Sequence, residues 1–217
     1  MTGPSVRIKI CGITRKEDAL VAAEAGTDAL GFIFVRSSPR YIEPVEAAEI
    51  ISALPPFITP VGVFVNAQRD EIEHVIAVSG VRCLQLHGEE GPGDTTGYRL
   101  PVIKAFRVGP EFSSTLLQTY SASAYLLDTF LPGRHGGTGT TFDWTIVQGA
   151  RQFGRIILSG GLTPGNVREA VRRTEPYAID VNSGVESEPG RKDRRKIIDL
   201  FTAVQDYHAF PQQENLC

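Results

Sequence analysis

The sequence is poor in cysteine, has no long apolar run and has no long basic stretch, and each lack closes off a class of protein. Its three cysteines, Cys11, Cys83 and Cys217, are an odd number without CxxC spacing, which suggests neither a disulfide framework nor a structural zinc site. No apolar run approaches the roughly 18 residues of a membrane helix, and the N-terminus lacks the basic and apolar regions of a signal peptide. The expectation is a cytoplasmic protein with no membrane partner. A net charge of -3 argues against a nucleic-acid partner. The short basic cluster at 191–196 is interrupted by Asp193 and reads as a solvated helix face. There is no glycine loop ending in Lys-Ser/Thr and no GxGxxG behind a strand, so neither common nucleotide-binding loop is indicated.

What the chain does have is a regular alternation of patterns. Hydrophobic residues make up 41% of 217 residues, enough for a full core. Strands are expected at 6–11, 29–34, 60–65, 82–86, 101–106, 124–128, 155–159 and 177–181. Helices are expected at 16–25, 45–54, 69–78, 111–120, 142–150, 163–173 and 194–208, while 89–99 carries no helical pattern. Thr14 and Glu17 form a Thr-x-x-Glu capping signature, Asn66 is the expected N-cap of the third helix, and Thr163-Pro164 reads as N-cap and first turn. Alternation of strands and helices predicts a parallel sheet, and eight strands favour a closed α/β TIM barrel, (β/α)8, in one domain over 1–217.

In such a barrel the C-terminal strand ends form the active-site face. That face would carry Cys11, Arg40, His87, Asp128, Gly160-Gly161 and Ser183-Gly184. Strands one and six lie three places apart, so Cys11 and Asp128 face each other across the mouth, a thiol and a carboxylate suited to act as base and acid. Lys9, two residues before Cys11, is a cation that favours the thiolate. Asp180 reads equally as a catalytic group or as an interior partner of Lys9. His87 reads equally as functional or as a donor to a loop carbonyl. Arg40, on position alone, reads as a surface residue, and Cys83 and Cys217 as structural or incidental. The glycines after strands seven and eight sit where phosphate-binding barrels turn backbone N–H groups and a helix N-terminus toward an anion.

The ordered motifs Lys9-Ile10-Cys11-Gly12-Ile13-Thr14, Gly62-Val63-Phe64-Val65-Asn66, Gln85-Leu86-His87-Gly88, Leu127-Asp128-Thr129, Gly136-Gly137-Thr138-Gly139, Phe142-Asp143-Trp144, Ser159-Gly160-Gly161-Leu162 and Asp180-Val181-Asn182-Ser183-Gly184-Val185-Glu186 resemble the phosphoribosylanthranilate isomerase family. The resemblance implies an Amadori rearrangement of N-(5-phosphoribosyl)anthranilate in tryptophan biosynthesis. It also implies Cys11 as general base, Asp128 as general acid and Arg40 as partner of the anthranilate carboxylate. The loops of Gly160, Gly161, Ser183 and Gly184 would hold the phosphate, and His87 and Asp180 complete the candidate substrate-binding set. Because the iminium form of the substrate is its own electron sink, neither a metal nor an organic cofactor is expected. The expected partner is the phosphorylated sugar–anthranilate substrate, and the assembly a monomer or homodimer. The chain length implies the form not fused to indole-glycerol-phosphate synthase, and Thr140 stands where family members often carry lysine. Two rivals are the related sugar isomerase of histidine biosynthesis, which uses paired aspartates unlike Cys11, and a non-catalytic barrel that binds a phosphorylated ligand.

Overall fold

A computed structural model describes residues 6–109, 111–128 and 145–209. Eight parallel strands close into one barrel in chain order: β1 (Arg7–Ile10), β2 (Ala29–Ile33), β3 (Thr59–Phe64), β4 (Cys83–Leu86), β5 (Val102–Arg107), β6 (Ala124–Asp128), β7 (Ile156–Ser159) and β8 (Ala178–Val181). β8 returns to β1 with Asp180 opposite Lys9 and Val181 opposite Ile10, which seals the ring. The (β/α)8 barrel expected from the sequence is formed.

The two-residue period of each strand sorts its side chains into two cores. Ile8, Ile10, Leu30, Phe32, Leu84, Leu86, Leu158 and Ile179 join the outer core shared with the helices. Val61, Cys83, Ile103, Ala105, Leu126, Ile157 and Ala178 fill the barrel interior. Both faces are covered, which is why the strands read as nearly unbroken apolar runs. Lys9, Gln85 and Asp180 share the interior-facing register and are nevertheless buried, at 3%, 1% and 5% exposure.

The outer layer is α1 (Lys16–Ala25), α2 (Pro44–Ser52), α3 (Arg69–Ser79), α4 (Thr145–Ala150), α5 (Val167–Thr174) and α6 (Arg194–Ala209). Only a 3-10 turn, Pro92–Thr95, follows β4, in line with the missing helical pattern there. The helix expected at 111–120 is instead a 3-10 helix, Ser114–Thr119. Hydroxyls compete with an α-helical backbone in that segment: Ser113 Oγ meets Thr115 Oγ1 at 2.8 Å, and Thr119 Oγ1 donates to the Leu116 carbonyl.

Three expected caps are overturned, the first two because tertiary partners take the side chains and the third because a local turn intervenes. Thr14 does not cap α1; its hydroxyl donates to the Gly190 carbonyl, and the helix starts after Arg15. Asn66 does not cap α3, whose N-cap is Gln68; Asn66 sits at φ 51 and accepts the Glu89 N–H at 2.7 Å. Thr163-Pro164 does not open α5. Those residues form a turn pinned by Asn166, which accepts the Thr163 N–H and donates to the Gly161 carbonyl, and the helix begins at Val167.

After β8 a 3-10 turn, Ser183–Val185, leads into a hairpin of β9 (Glu186–Glu188) and β10 (Arg191–Lys192). The basic cluster is therefore not one solvated helix face: Lys192 is a strand residue only 6% exposed. Thr129, the glycine stretch 136–139, Thr140, the expected helix start at 142–144 and Cys217 lie outside the described residues. Among the described residues no helix is long and apolar enough to cross a membrane.

Candidate active site

The interior-facing residue near the C-terminal end of every strand but β5 lines one cavity of about 350 Å3: Cys11 just past β1, then Ile33, Val63, Gln85, Asp128, Ser159 and Asp180. Arg40 from the loop after β2, His87 after β4, Gly160-Gly161 after β7 and Asn182-Ser183-Gly184 after β8 complete its wall. Cys11, Arg40, His87, Asp128, Gly160, Gly161, Asp180, Ser183 and Gly184 are thus brought together from six segments of the chain.

Cys11 is 4% exposed, and burial pushes its thiol above the ordinary value although Lys9 pulls the other way. Lys9 favours the thiolate, as its place in the sequence suggested, but desolvation outweighs the cation. Lys9 Nζ is held 2.8 Å from Asp180 Oδ1, so much of its charge is spent on that carboxylate. Burial works to lower the Lys9 value, but Asp180 and Cys11 raise it by more, and the ammonium stays charged. Asp180 is the interior partner of Lys9 that its sequence position allowed, and it also lines the cavity. Gly31 on β2 makes this crowding possible, since a Cβ there would stand against Cys11 Sγ and 3.1 Å from Lys9 Nζ.

On the opposite wall His87 Nε2 lies 3.5 Å from Asp128 Oδ2. His87 Nδ1 meets Gln85 Nε2 at 2.8 Å rather than a loop carbonyl. The turn that presents His87 is clamped from below. Glu90 accepts the N–H groups of Asn66 and Gly88 at 2.8 and 2.9 Å and pairs with buried Lys104 at 2.8 Å.

Arg40 is not the surface residue its position suggested. Its side chain is 18% exposed, and its Nε and Nη2 grip Glu186 at 2.9 and 2.6 Å. Lys192 Nζ reaches the same carboxylate at 2.9 Å and Asn182 Oδ1 at 3.1 Å. Burial would raise Glu186, but the hydrogen bonds from Arg40 and Lys192 outweigh it and hold the carboxyl below the ordinary range. Two cations around one carboxylate leave the cluster with one net positive charge, suited to a single anionic group on a ligand.

The glycines after β7 and β8 are needed for their backbones. Gly160 and Gly161 sit at φ 97 and 63, which side chains rarely adopt. A Cβ on Gly184 would fall onto the Leu162 carbonyl oxygen. The two loops abut where Gly184 meets the Leu162 carbonyl, a contact with no room for a Cβ. The helix N-terminus expected here is set back by the 163–166 turn. Among the described residues no group of three or more His, Cys, Asp or Glu is placed to hold a metal ion.

Gln85, Asn182, Glu186 and Lys192 were not among the sequence candidates. Gln85 carried a usable signal, being a polar residue two positions after interior Cys83. Glu186 and Lys192 carried none, because their burial depends on a hairpin with no local signature.

Residues 8–203 match the family model described as N-(5'-phosphoribosyl)anthranilate (PRA) isomerase. The chain is 55% identical over 192 residues to N-(5'-phosphoribosyl)anthranilate isomerase of Geobacter sp. strain M21, covering 88% of this chain and 94% of that one. It is similar to the crystal structure of phosphoribosyl anthranilate isomerase from Thermotoga maritima, at 41% identity and TM-score 0.82 over 93% of this chain and 99% of that one. A phosphoribosyl anthranilate isomerase in complex with reduced 1-(o-carboxyphenylamino)-1-deoxyribulose 5-phosphate matches at 39% identity and TM-score 0.79, over 93% and 99% of the two chains. A further match, at 37% identity and TM-score 0.78 over the same shares, is to monomers generated from the dimeric Thermotoga maritima enzyme.

Proposed function

The chain belongs to the N-(5'-phosphoribosyl)anthranilate isomerase family, and on that footing we propose that Cys11 is its general base and Asp128 its general acid. The enzyme is an isomerase of tryptophan biosynthesis that converts N-(5-phosphoribosyl)anthranilate to 1-(2-carboxyphenylamino)-1-deoxyribulose 5-phosphate by an Amadori rearrangement. The observation that carries the assignment is that a thiol and a carboxylate from β1 and β6 line one cavity whose other walls are the glycine loops and the Arg40 cluster.

Asp128 donates its proton to the furanose ring oxygen while the C1–O bond breaks. The anilino nitrogen lone pair moves in behind it and forms a C1=N iminium. Cys11, as thiolate, then takes the proton from C2. The C–H electrons form C1=C2, and the iminium pair returns to nitrogen. The resulting enolamine tautomerises to the C2 ketone. Two groups are needed because one proton is given and another taken on different sides of the same molecule.

The remaining residues bind and orient. The backbone of Gly160, Gly161, Ser183 and Gly184 suits the phosphate by the close approach that glycine allows. Arg40, with the net charge of its cluster, suits the anthranilate carboxylate. His87 supports Asp128, and Asp180 fixes Lys9 beside Cys11. Cys11 at the end of β1 disfavours the paired-aspartate chemistry of the histidine-pathway isomerase.

We further propose a single domain over 1–217, a cytoplasmic location and no nucleic-acid partner. We propose a homodimer, supported by the dimeric Thermotoga maritima relative and by Phe57, 95% exposed beside Pro55 and Pro56 at the N-terminal end of the barrel. The catalytic assignment is tested by binding of a non-reactive product analogue. Cys11→Ala should keep its affinity within about threefold while turnover falls by about 10²-fold or more; parallel loss of both would overturn the assignment.

A further inference from the structure

Gln85 stands out as a polar side chain in an apolar interior. It is 1% exposed, lines the same cavity as Cys11 and Asp128, and shares its strand face with Cys83. Its Nε2 is 2.8 Å from His87 Nδ1, while its Oε1 is buried with no hydrogen-bond partner. A leucine would fill this space without leaving a buried acceptor unpaired, so packing does not account for a glutamine here.

The bond to His87 has a consequence for the proton on the ring. An amide N–H that donates to Nδ1 makes Nδ1 the acceptor nitrogen, so the ring proton sits on Nε2. Nε2 is the nitrogen facing Asp128 Oδ2, at 3.5 Å. With the ring proton on Nε2, Oδ2 is the Asp128 oxygen disposed to accept it, which leaves Oδ1 to carry the carboxyl proton. When that proton leaves for the substrate, the same N–H stabilises the carboxylate left behind.

We propose that Gln85 is a positioning residue: by fixing the tautomer of His87 it orients Asp128 so that the proton to be donated faces the substrate. The proposal rests on Asp128 being the general acid.

The test is 15N NMR of the histidine rings in the full-length enzyme, with His87 identified by the loss of its signals in His87→Gln, together with kcat of two variants. The wild type should show His87 protonated at Nε2 and unprotonated at Nδ1. In Gln85→Glu the carboxylate demands a donor, so Nδ1 should become protonated; in Gln85→Leu, Nδ1 loses its partner. Both variants should lose about 10- to 100-fold in kcat, part of the 10² to 10⁴ that positioned acid–base groups contribute. A wild-type proton on Nδ1, or unchanged kcat in both variants, overturns the proposal. Asp128→Asn separates the two readings: if it turns over normally the acid assignment fails, whatever the His87 tautomer. If it is inactive while Gln85→Leu is not, only the positioning role fails.

Discussion

Arg40 is gripped through its fork by Glu186, a residue 146 positions further along the chain, with Nε to Oε1 at 2.9 Å and Nη2 to Oε2 at 2.6 Å. The pairing spends one edge of the guanidinium on the protein. What remains for a ligand is the far edge, aimed by a carboxylate that Lys192 also holds in place. Arg40 therefore arrives in the cavity with its direction already fixed, at no ordering cost when substrate binds.

Replacing Glu186 should show this directly. Glu186→Gln leaves Arg40 and Lys192 without their shared counter-charge, and stability at pH 7 should fall by on the order of 3 kcal/mol. Because Glu186 is held below its ordinary value of 4.5, its contribution is present above that pH and lost as pH falls through the lowered value. Denaturant unfolding across pH 3 to 7 should show the wild-type and variant curves converging on the acid side. Parallel curves would contradict the pairing.

Lys9 makes a second prediction, about the base. Burial already raises the Cys11 thiol, and Lys9 is the strongest force opposing it. Lys9→Met should raise the thiol further, so the rising limb of kcat/KM against pH should move to higher pH. Asp180, left buried without its cation, should cost on the order of 3 kcal/mol of stability, and a second change, Asp180→Leu, should restore most of it. An unmoved pH limb would detach Lys9 from Cys11.

A third prediction concerns the anion end. In Gly184→Ala the new methyl meets the Leu162 carbonyl, so the loops after β7 and β8 must part. Inorganic phosphate, as a competitive inhibitor, should bind at least about tenfold more weakly, a loss of roughly 1.4 kcal/mol, while the barrel stays folded by circular dichroism. Unchanged inhibition would place the phosphate elsewhere.

Features with a local cause were legible in the sequence. Eight strands, the positions of Cys11 and Asp128 at their ends, and the glycines at positive φ all follow from period, chain order and residue type. Features with a distant cause were not. Thr14 and Asn66 carry good capping side chains, but Gly190 and Glu89 claim them. Lys192 looks like a solvated base, yet the hairpin folds it under Glu186. The balance at Cys11 was only half legible for a related reason: the neighbouring cation is visible in the sequence, whereas the depth of burial and the Asp180 that absorbs Lys9 are not.

Assembly can be checked separately from chemistry. Phe57→Lys removes the most exposed large apolar side chain among the described residues, away from the catalytic face. Sedimentation should show a dimer for the wild type and a monomer for the variant, with kcat within about twofold. A variant that remains dimeric would move the interface to another surface.

The central claim is that Cys11 and Asp128 together carry the rearrangement. It is tested most directly by following the loss of phosphoribosylanthranilate fluorescence, with substrate generated in place, for the wild type, Cys11→Ala and Asp128→Asn. Rapid decay in the wild type, slowed by about 10² to 10⁴ in each variant, is the expected result. Decay at the wild-type rate in either variant would contradict the assignment of that residue.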